Sequence, residues 1–146
     1  MKIVDANVLI YAVNENSPHH EEARDWLNGA LSPGSIATEP IGLAWVVLLA
    51  FWRITTHPAI FPVPLRVETA ASILEAWLSQ PATIVVTPTP RHLALLTGLL
   101  TTSGAAANLV NDAHLAALAL EHGAMLVSYD RDLSRFAGVH VVTPGA

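Results

Sequence analysis

The 146-residue chain has twelve acids against seven Lys and Arg for a formal net charge of −5, is 52% hydrophobic and only 13% charged, and lacks cysteine. That length suits one compact domain, 1–146, with a sizeable core. The missing thiols exclude disulfides, thiolate zinc sites and cysteine nucleophiles, and the acidic balance excludes a global field that would gather nucleic acid, so any polyanion needs a local site.

The N-terminal KIVD reads as a strand feeding a turn at ANVLIYAV. Its apolar run is broken by Asp5 and Asn7 and no cleavage pattern follows, so it is not read as a signal peptide. HHEEARDWLNGAL follows Ser17-Pro18, with Glu21 and Glu22 suited to a first turn and Ala23, Trp26, Leu27, Ala30 and Leu31 forming an apolar stripe. After Pro33-Gly34, Ser35 to Ala37 reads as a minimal strand. Thr38 reads as an N-cap for a helix that Glu39 and Pro40 open and that runs to about Thr55. Its apolar stretch, Ile41 to Trp52, is twelve residues, short of the ~20 that span a bilayer. The expectation is a cytoplasmic protein that stays out of the membrane.

Pro58, Pro62 and Pro64 make the next segment irregular. The spacing predicts an amphipathic helix over 65–79, a strand over 83–86, a helix from Pro90 closed by Gly104, and a helix from Leu109 to His122 ended by Gly123. The strand AMLVSY, the segment DRDLSRF and the strand VHVVTP complete the chain. Strands alternating with helices predict an α/β domain with a mostly parallel sheet.

Four carboxylates stand at element ends: Asp5 after the first strand, Glu39 after the expected strand SIA, Asp112 near the start of the helix over 109–122, and Asp130 after MLVSY. Ligands of open α/β sheets bind outside the carboxyl ends of the strands, which brings Asp5, Glu39 and Asp130 to one edge; Asp112 joins them if its helix starts there. Acids gathered this way repel unless a cation holds them. Oxygen-only ligands suit Mg²⁺ or Mn²⁺, and one or two such ions support in-line attack of water on a phosphodiester. Glu39, Asp112 and Asp130 are equally well placed to stabilise helix starts. Asp5, among apolar neighbours and with no evident helix to cap, is not explained that way.

The strings IVDANVLIYAV, TEPIGLAWVVLLAFWR, RHLALLTGLL and NLVNDAHLAALALEHGAMLVSYDRDLSRF, in this order, resemble PIN-domain ribonucleases, in particular VapC-type toxins of VapB–VapC toxin–antitoxin pairs. The resemblance spans nearly the whole chain. It implies an α/β/α sandwich around a parallel sheet of four or five strands, and Mg²⁺-dependent cleavage of tRNA, rRNA or mRNA that leaves 5′-phosphate and 3′-hydroxyl ends. It also implies a homodimer and a groove for a VapB-like antitoxin, in a heterotetramer or larger assembly. The family's four acids fall on Asp5, Glu39, Asp112 and Asp130, with Asp132 one step further along as a further contributor. Asn7 and Ser128 match polar positions that hydrogen-bond the liganding carboxylates. The chain departs from the family's D-x-D-F segment by carrying Leu133, with Phe136 one turn away to fill the space.

Arg131 and Arg135 flank the acidic edge and are the candidate phosphate-positioning residues, although ordinary surface arginines explain them equally well. His114 lies about 200° round its helix from Asp112 and so on another face. His19, His20, His57 and His122 read as solvated or capping groups, and Trp26, Trp45, Trp52 and Trp77 as core. The apolar helix exceeds what one face can bury, which points to an interface. Two rivals remain: an aspartyl-phosphate phosphatase, which needs a second Asp where Asn7 stands, and a PIN-like module that binds RNA or protein without cleaving.

Overall fold

In a computed structural model, which describes residues 1–32, 34, 39–104 and 107–146, the strands are β1 (Lys2–Val4), β2 (Ile41–Leu43), β3 (Thr83–Val85), β4 (Met125–Val127) and β5 (Val141–Val142). They form one sheet in the order β3-β2-β1-β4-β5, and every neighbouring pair is parallel. The helices flanking it are α1 (Ala6–Val13), α2 (His20–Leu31), α3 (Trp45–Thr55), α4 (Val67–Leu78), α5 (His92–Ser103) and α6 (Val110–Glu121). α1 packs on α2 and α3, α3 on α4, and α5 on α6. The expected α/β/α sandwich is present, with five strands among the described residues.

The inner strands are continuous apolar runs because both faces are covered: Ile3, Val4, Ile41, Leu43, Leu126 and Val127 are all buried. β3 is an edge strand and leaves Ile84 and Val85 exposed. β2 and β3 lie on one side of β1, and β4 and β5 on the other, so the topological switch falls between β1 and β4. A crevice opens there at the carboxyl ends of the strands.

The structure differs from expectation in two places. ANVLIYAV is helical, not a turn: Asp5 caps α1 through its carboxylate, and burial of Val8, Leu9, Ile10 and Ala12 outweighs the β preference of the branched residues. The single helix expected from Glu39 is instead β2 followed by α3 from Trp45. Gly42 explains the break. A Cβ there would lie 2.5 Å from Val86 Cγ2 and 3.0 Å from Ile3 Cγ1, so the segment is held as a strand wedged between two neighbours where only glycine fits. Starting α3 late also leaves Trp45 in the first turn and 51% exposed, contrary to its reading as core; Phe51 and Trp77 do pack edge to face in the interior. The expected strand at 35–37 and the Thr38 cap lie outside the described residues. Among the described residues, no helix is long and apolar enough to cross a membrane.

Candidate metal centre and substrate cleft

Asp5 leaves β1 directly beside the end of β4, its amide donating to Val127 O at 2.9 Å. Its carboxylate is held from three sides: the Ala6 amide donates to Oδ1 at 2.7 Å, while Ser128 Oγ and Asn7 Nδ2 donate to Oδ2 at 2.7 and 3.2 Å. Ser128 is fully buried, and its hydroxyl also accepts from Asn7 Nδ2 and the Asp130 amide. One donor and two acceptor positions are thus all used. Asn7 Oδ1 in turn accepts from the Tyr129 amide. Burial raises the Asp5 pKa despite these donors, and repulsion from Asp130 adds to the rise.

Asp112 lies in the first turn of α6, where a carboxylate also suits the helix dipole. Its pKa is raised by burial and then by the charges of Asp5 and Asp130, with Arg135 opposing. Three acids from β1, the β4 exit and α6 therefore feel one another across the switch point. The carboxylate of Asp112 receives no hydrogen bond among the described residues, and Asp130 uses only Oδ1, to cap the 3-10 turn 131–135 through the Asp132 amide. Asp132 itself is exposed and faces Arg135 at 3.6 Å. Arg131 is exposed with no ion pair among the described residues, and Leu133 and Phe136 are both buried in the core.

Glu39 does not join this group. It precedes β2, and its carboxylate meets the Met1 amino group at 3.1 Å and Lys2 Nζ at 3.3 Å. The hydrogen bond from the amino terminus is the main cause of its lowered pKa. Because Ile41 pairs with Lys2, Glu39 sits about 15 Å along the strand direction from Asp5, at the opposite edge of the sheet. Its assignment as a site carboxylate is corrected accordingly.

A cleft of about 600 Å³ opens beside the acids, lined by Asp5 and Ala6, by Asn111, Asp112 and Leu115 of α6, and by Val46, Val47, Leu49, Ala50 and Arg53 of α3. Positions 46, 49, 50 and 53 are a single helical stripe. It holds no carboxylate, and its polar member is Arg53. Sequence reading assigned no role to Arg53 or Asn111; the 3-4 spacing on α3 would have shown Arg53 once the true helix start was known.

The histidines are more engaged than expected. His92 Nδ1 meets the buried Glu121 carboxylate at 3.1 Å and His92 Nε2 meets His114 Nδ1 at 2.8 Å, joining α5 to α6 away from Asp112. The Thr89 amide donates to the same carboxylate. His19 stacks on Tyr129 at 4.3 Å and on Tyr11 at 5.4 Å. The i, i+7 spacing of His114 and Glu121 was the available signal.

Residues 2–139 match the PIN domain family. The chain is 53% identical to ribonuclease VapC37 of Mycobacterium tuberculosis over 146 residues, covering 100% of this chain and 99% of that protein. It is 37% identical to ribonuclease VapC25 of the same organism, covering 99% of each. The chain belongs to the PIN-domain family, VapC type. Among solved structures, VapBC2 from Rickettsia felis bound to a promoter DNA fragment superposes with a TM-score of 0.71 at 16% identity, over 97% of each chain. Mycobacterium tuberculosis VapC20, described as a sarcin-ricin loop cleaving toxin, superposes with a TM-score of 0.63 at 18% identity, over 96% of this chain and 99% of that one. At those identities the likeness concerns the fold.

The donor chemistry of this PIN domain fits a hard divalent cation. Among the described residues no three acids or histidines already converge on one point. Mg²⁺ does not require that, since one or two carboxylates with several waters satisfy it. Two carboxylates with proton affinity raised by burial and by neighbouring negative charge gain most from a cation.

Proposed function

We propose that this PIN domain is a Mg²⁺- or Mn²⁺-dependent endoribonuclease, the toxin of a VapB–VapC type pair, producing 5′-phosphate and 3′-hydroxyl ends. The observation that carries the reading is that Asp5 and Asp112 line one cleft at the switch point of the sheet, with Asp130 at the neighbouring β4 exit close enough for its charge to act on both. The ribonuclease names of the full-length relatives support it.

A bound divalent ion supplies an activated water and neutralises phosphate oxygens. Asp5 and Asp112 are the residues that would hold it, with Asp130 beside them. Ser128 and Asn7 fix the direction of the Asp5 carboxylate, so that it does not swing when the ion or substrate arrives. Tyr129 braces the segment that carries Asp130, through its amide to Asn7 and its hydroxyl to Glu22 at 2.9 Å. With Glu39 removed from the group, three acids bear the reading, and the cleft is the opening for a single-stranded RNA backbone. The half-exposed Trp45, and a groove of about 390 Å³ lined by Trp45, Leu48, Trp52, Ala71, Leu74 and Leu78 with Glu75 and Ser79 at its rim, provide apolar surface for a homodimer contact and an antitoxin helix.

The test is incubation of the purified protein with single-stranded RNA. Cleavage in Mg²⁺ that stops in EDTA and in Asp5→Ala supports the reading. Equal behaviour of wild type and Asp5→Ala contradicts it and favours a binding module.

A further inference from the structure

We propose that Arg53 is a substrate-binding residue of the cleft, a guanidinium that takes a phosphate of the RNA backbone next to the bond that is cut. This rests on the ribonuclease reading and adds a residue to it.

Three observations lead there. Arg53 closes the stripe Val46, Leu49, Ala50, Arg53 that α3 turns to the cleft, opposite Asp5 on the β1 exit and Asp112 on α6. It is the cationic side chain among the described residues that line the cleft. It is also exposed and unpaired among the described residues, as are Arg91 and Arg131, which do not line the cleft, whereas Lys2, Arg24, Arg66 and Arg135 each have a carboxylate within 3.6 Å. Arg53 thus shares a cavity with two acids without being spent on them, and the space between is open.

In a protein of net charge −5, a polyanion gains little from long-range attraction and must be held by local donors. A guanidinium presents a planar fork that matches two phosphate oxygens, which an ammonium does not. The rest of the α3 wall is apolar, which suits a sugar face and offers no base-edge readout. Arg53 should therefore contribute to affinity uniformly across RNA sequences.

The experiment uses the full chain and a fluorescein-labelled mixed-sequence 12-nucleotide single-stranded RNA, with binding read by anisotropy in Ca²⁺ and turnover in Mg²⁺. Arg53→Ala should weaken binding about tenfold or more, reduce the slope of log Kd against log salt by about 0.7, and raise KM more than it lowers kcat. Arg53→Lys should recover the salt slope but only part of the affinity. Calorimetric Mn²⁺ binding to Arg53→Ala alone should equal that of wild type, showing an intact acidic site. Arg66→Ala serves as the surface control. If wild type binds and cleaves RNA while Arg53→Ala matches it or matches Arg66→Ala, the assignment of Arg53 fails alone. If wild type neither binds nor cleaves, the ribonuclease reading fails and Arg53 loses its role with it.

Discussion

Ser128 Oγ donates to Asp5 Oδ2 at 2.7 Å across 123 residues of sequence, tying the exits of the two strands that flank the topological switch. The same hydroxyl accepts from the Asp130 amide, so one buried atom orients one acid and places the backbone of another. Ser128→Ala removes both contacts and leaves the Asp130 amide short of an acceptor. We expect a loss of about 1–3 kcal/mol in stability and roughly 10- to 100-fold in Mn²⁺ affinity or RNA cleavage. Urea denaturation and calorimetry measure the two effects separately; unchanged metal affinity would show that Asp5 does not need this donor.

The acids of the cleft should burden the metal-free fold. Asp112 has no hydrogen-bond donor among the described residues and is repelled by Asp5 and Asp130. In EDTA, Asp112→Asn should melt roughly 2–3 °C above wild type, and in Mg²⁺ it should lose RNA cleavage, the trade expected where function requires like charges together. Thermal scans decide it, and a lower melting temperature would mean that Asp112 is structural.

That difference should depend on pH with a fixed sign. Asp5 and Asp112 both have folded-state pKa values raised above the ordinary 3.8, so the folded chain holds protons more tightly than the unfolded one. Their contribution to stability is complete below 3.8 and is lost as pH rises through the raised folded values. The gap between Asp112→Asn and wild type in EDTA should be smallest at about pH 4 and widen towards about pH 7. Excess Mg²⁺ should then raise the wild-type melting temperature by mass action and close the gap. A gap that narrows on raising the pH contradicts the assignment.

Glu39 offers a test of placement. Its half-buried, solvent-accessible pairing with Lys2 and the amino terminus should contribute no more than about 1 kcal/mol, and it lies at the far edge of the sheet. Glu39→Ala should therefore cleave RNA within about twofold of wild type, judged against the wider losses that ligand-shell changes cause. A loss comparable to that of Asp5→Ala would restore Glu39 to the site.

Glu121 should matter for stability alone. Its fully buried carboxylate serves the Thr89 amide and His92, which in turn meets His114. Glu121→Ala strands these partners between α5 and α6, at an expected cost of about 2–4 kcal/mol. Denaturant titration reads it, and a cost below about 1 kcal/mol would mean the chain of side chains relaxes without penalty.

The parallel sheet, five of the six helices and the places of Asp5, Asp112 and Asp130 were legible because capping residues, glycines and apolar spacing agreed with the final packing. The failures fall at two spots, and the larger is the segment after Glu39. Ile41 to Trp52 is apolar throughout, so periodicity cannot separate a doubly buried three-residue strand from the helix after it, and Gly42 was the overlooked sign of close backbone approach. Once that boundary moved, Glu39 changed edges and Arg53 rotated into the cleft. ANVLIYAV was missed for a different reason: tertiary burial overrode local preference.

Calorimetric titration of Mn²⁺ into the metal-free protein tests the central claim most directly. Wild type and Glu39→Ala should bind with equal affinity, and Asp5→Ala and Asp112→Asn should show no saturable binding. Equal binding by all four, or loss only in Glu39→Ala, would contradict a centre built on Asp5 and Asp112.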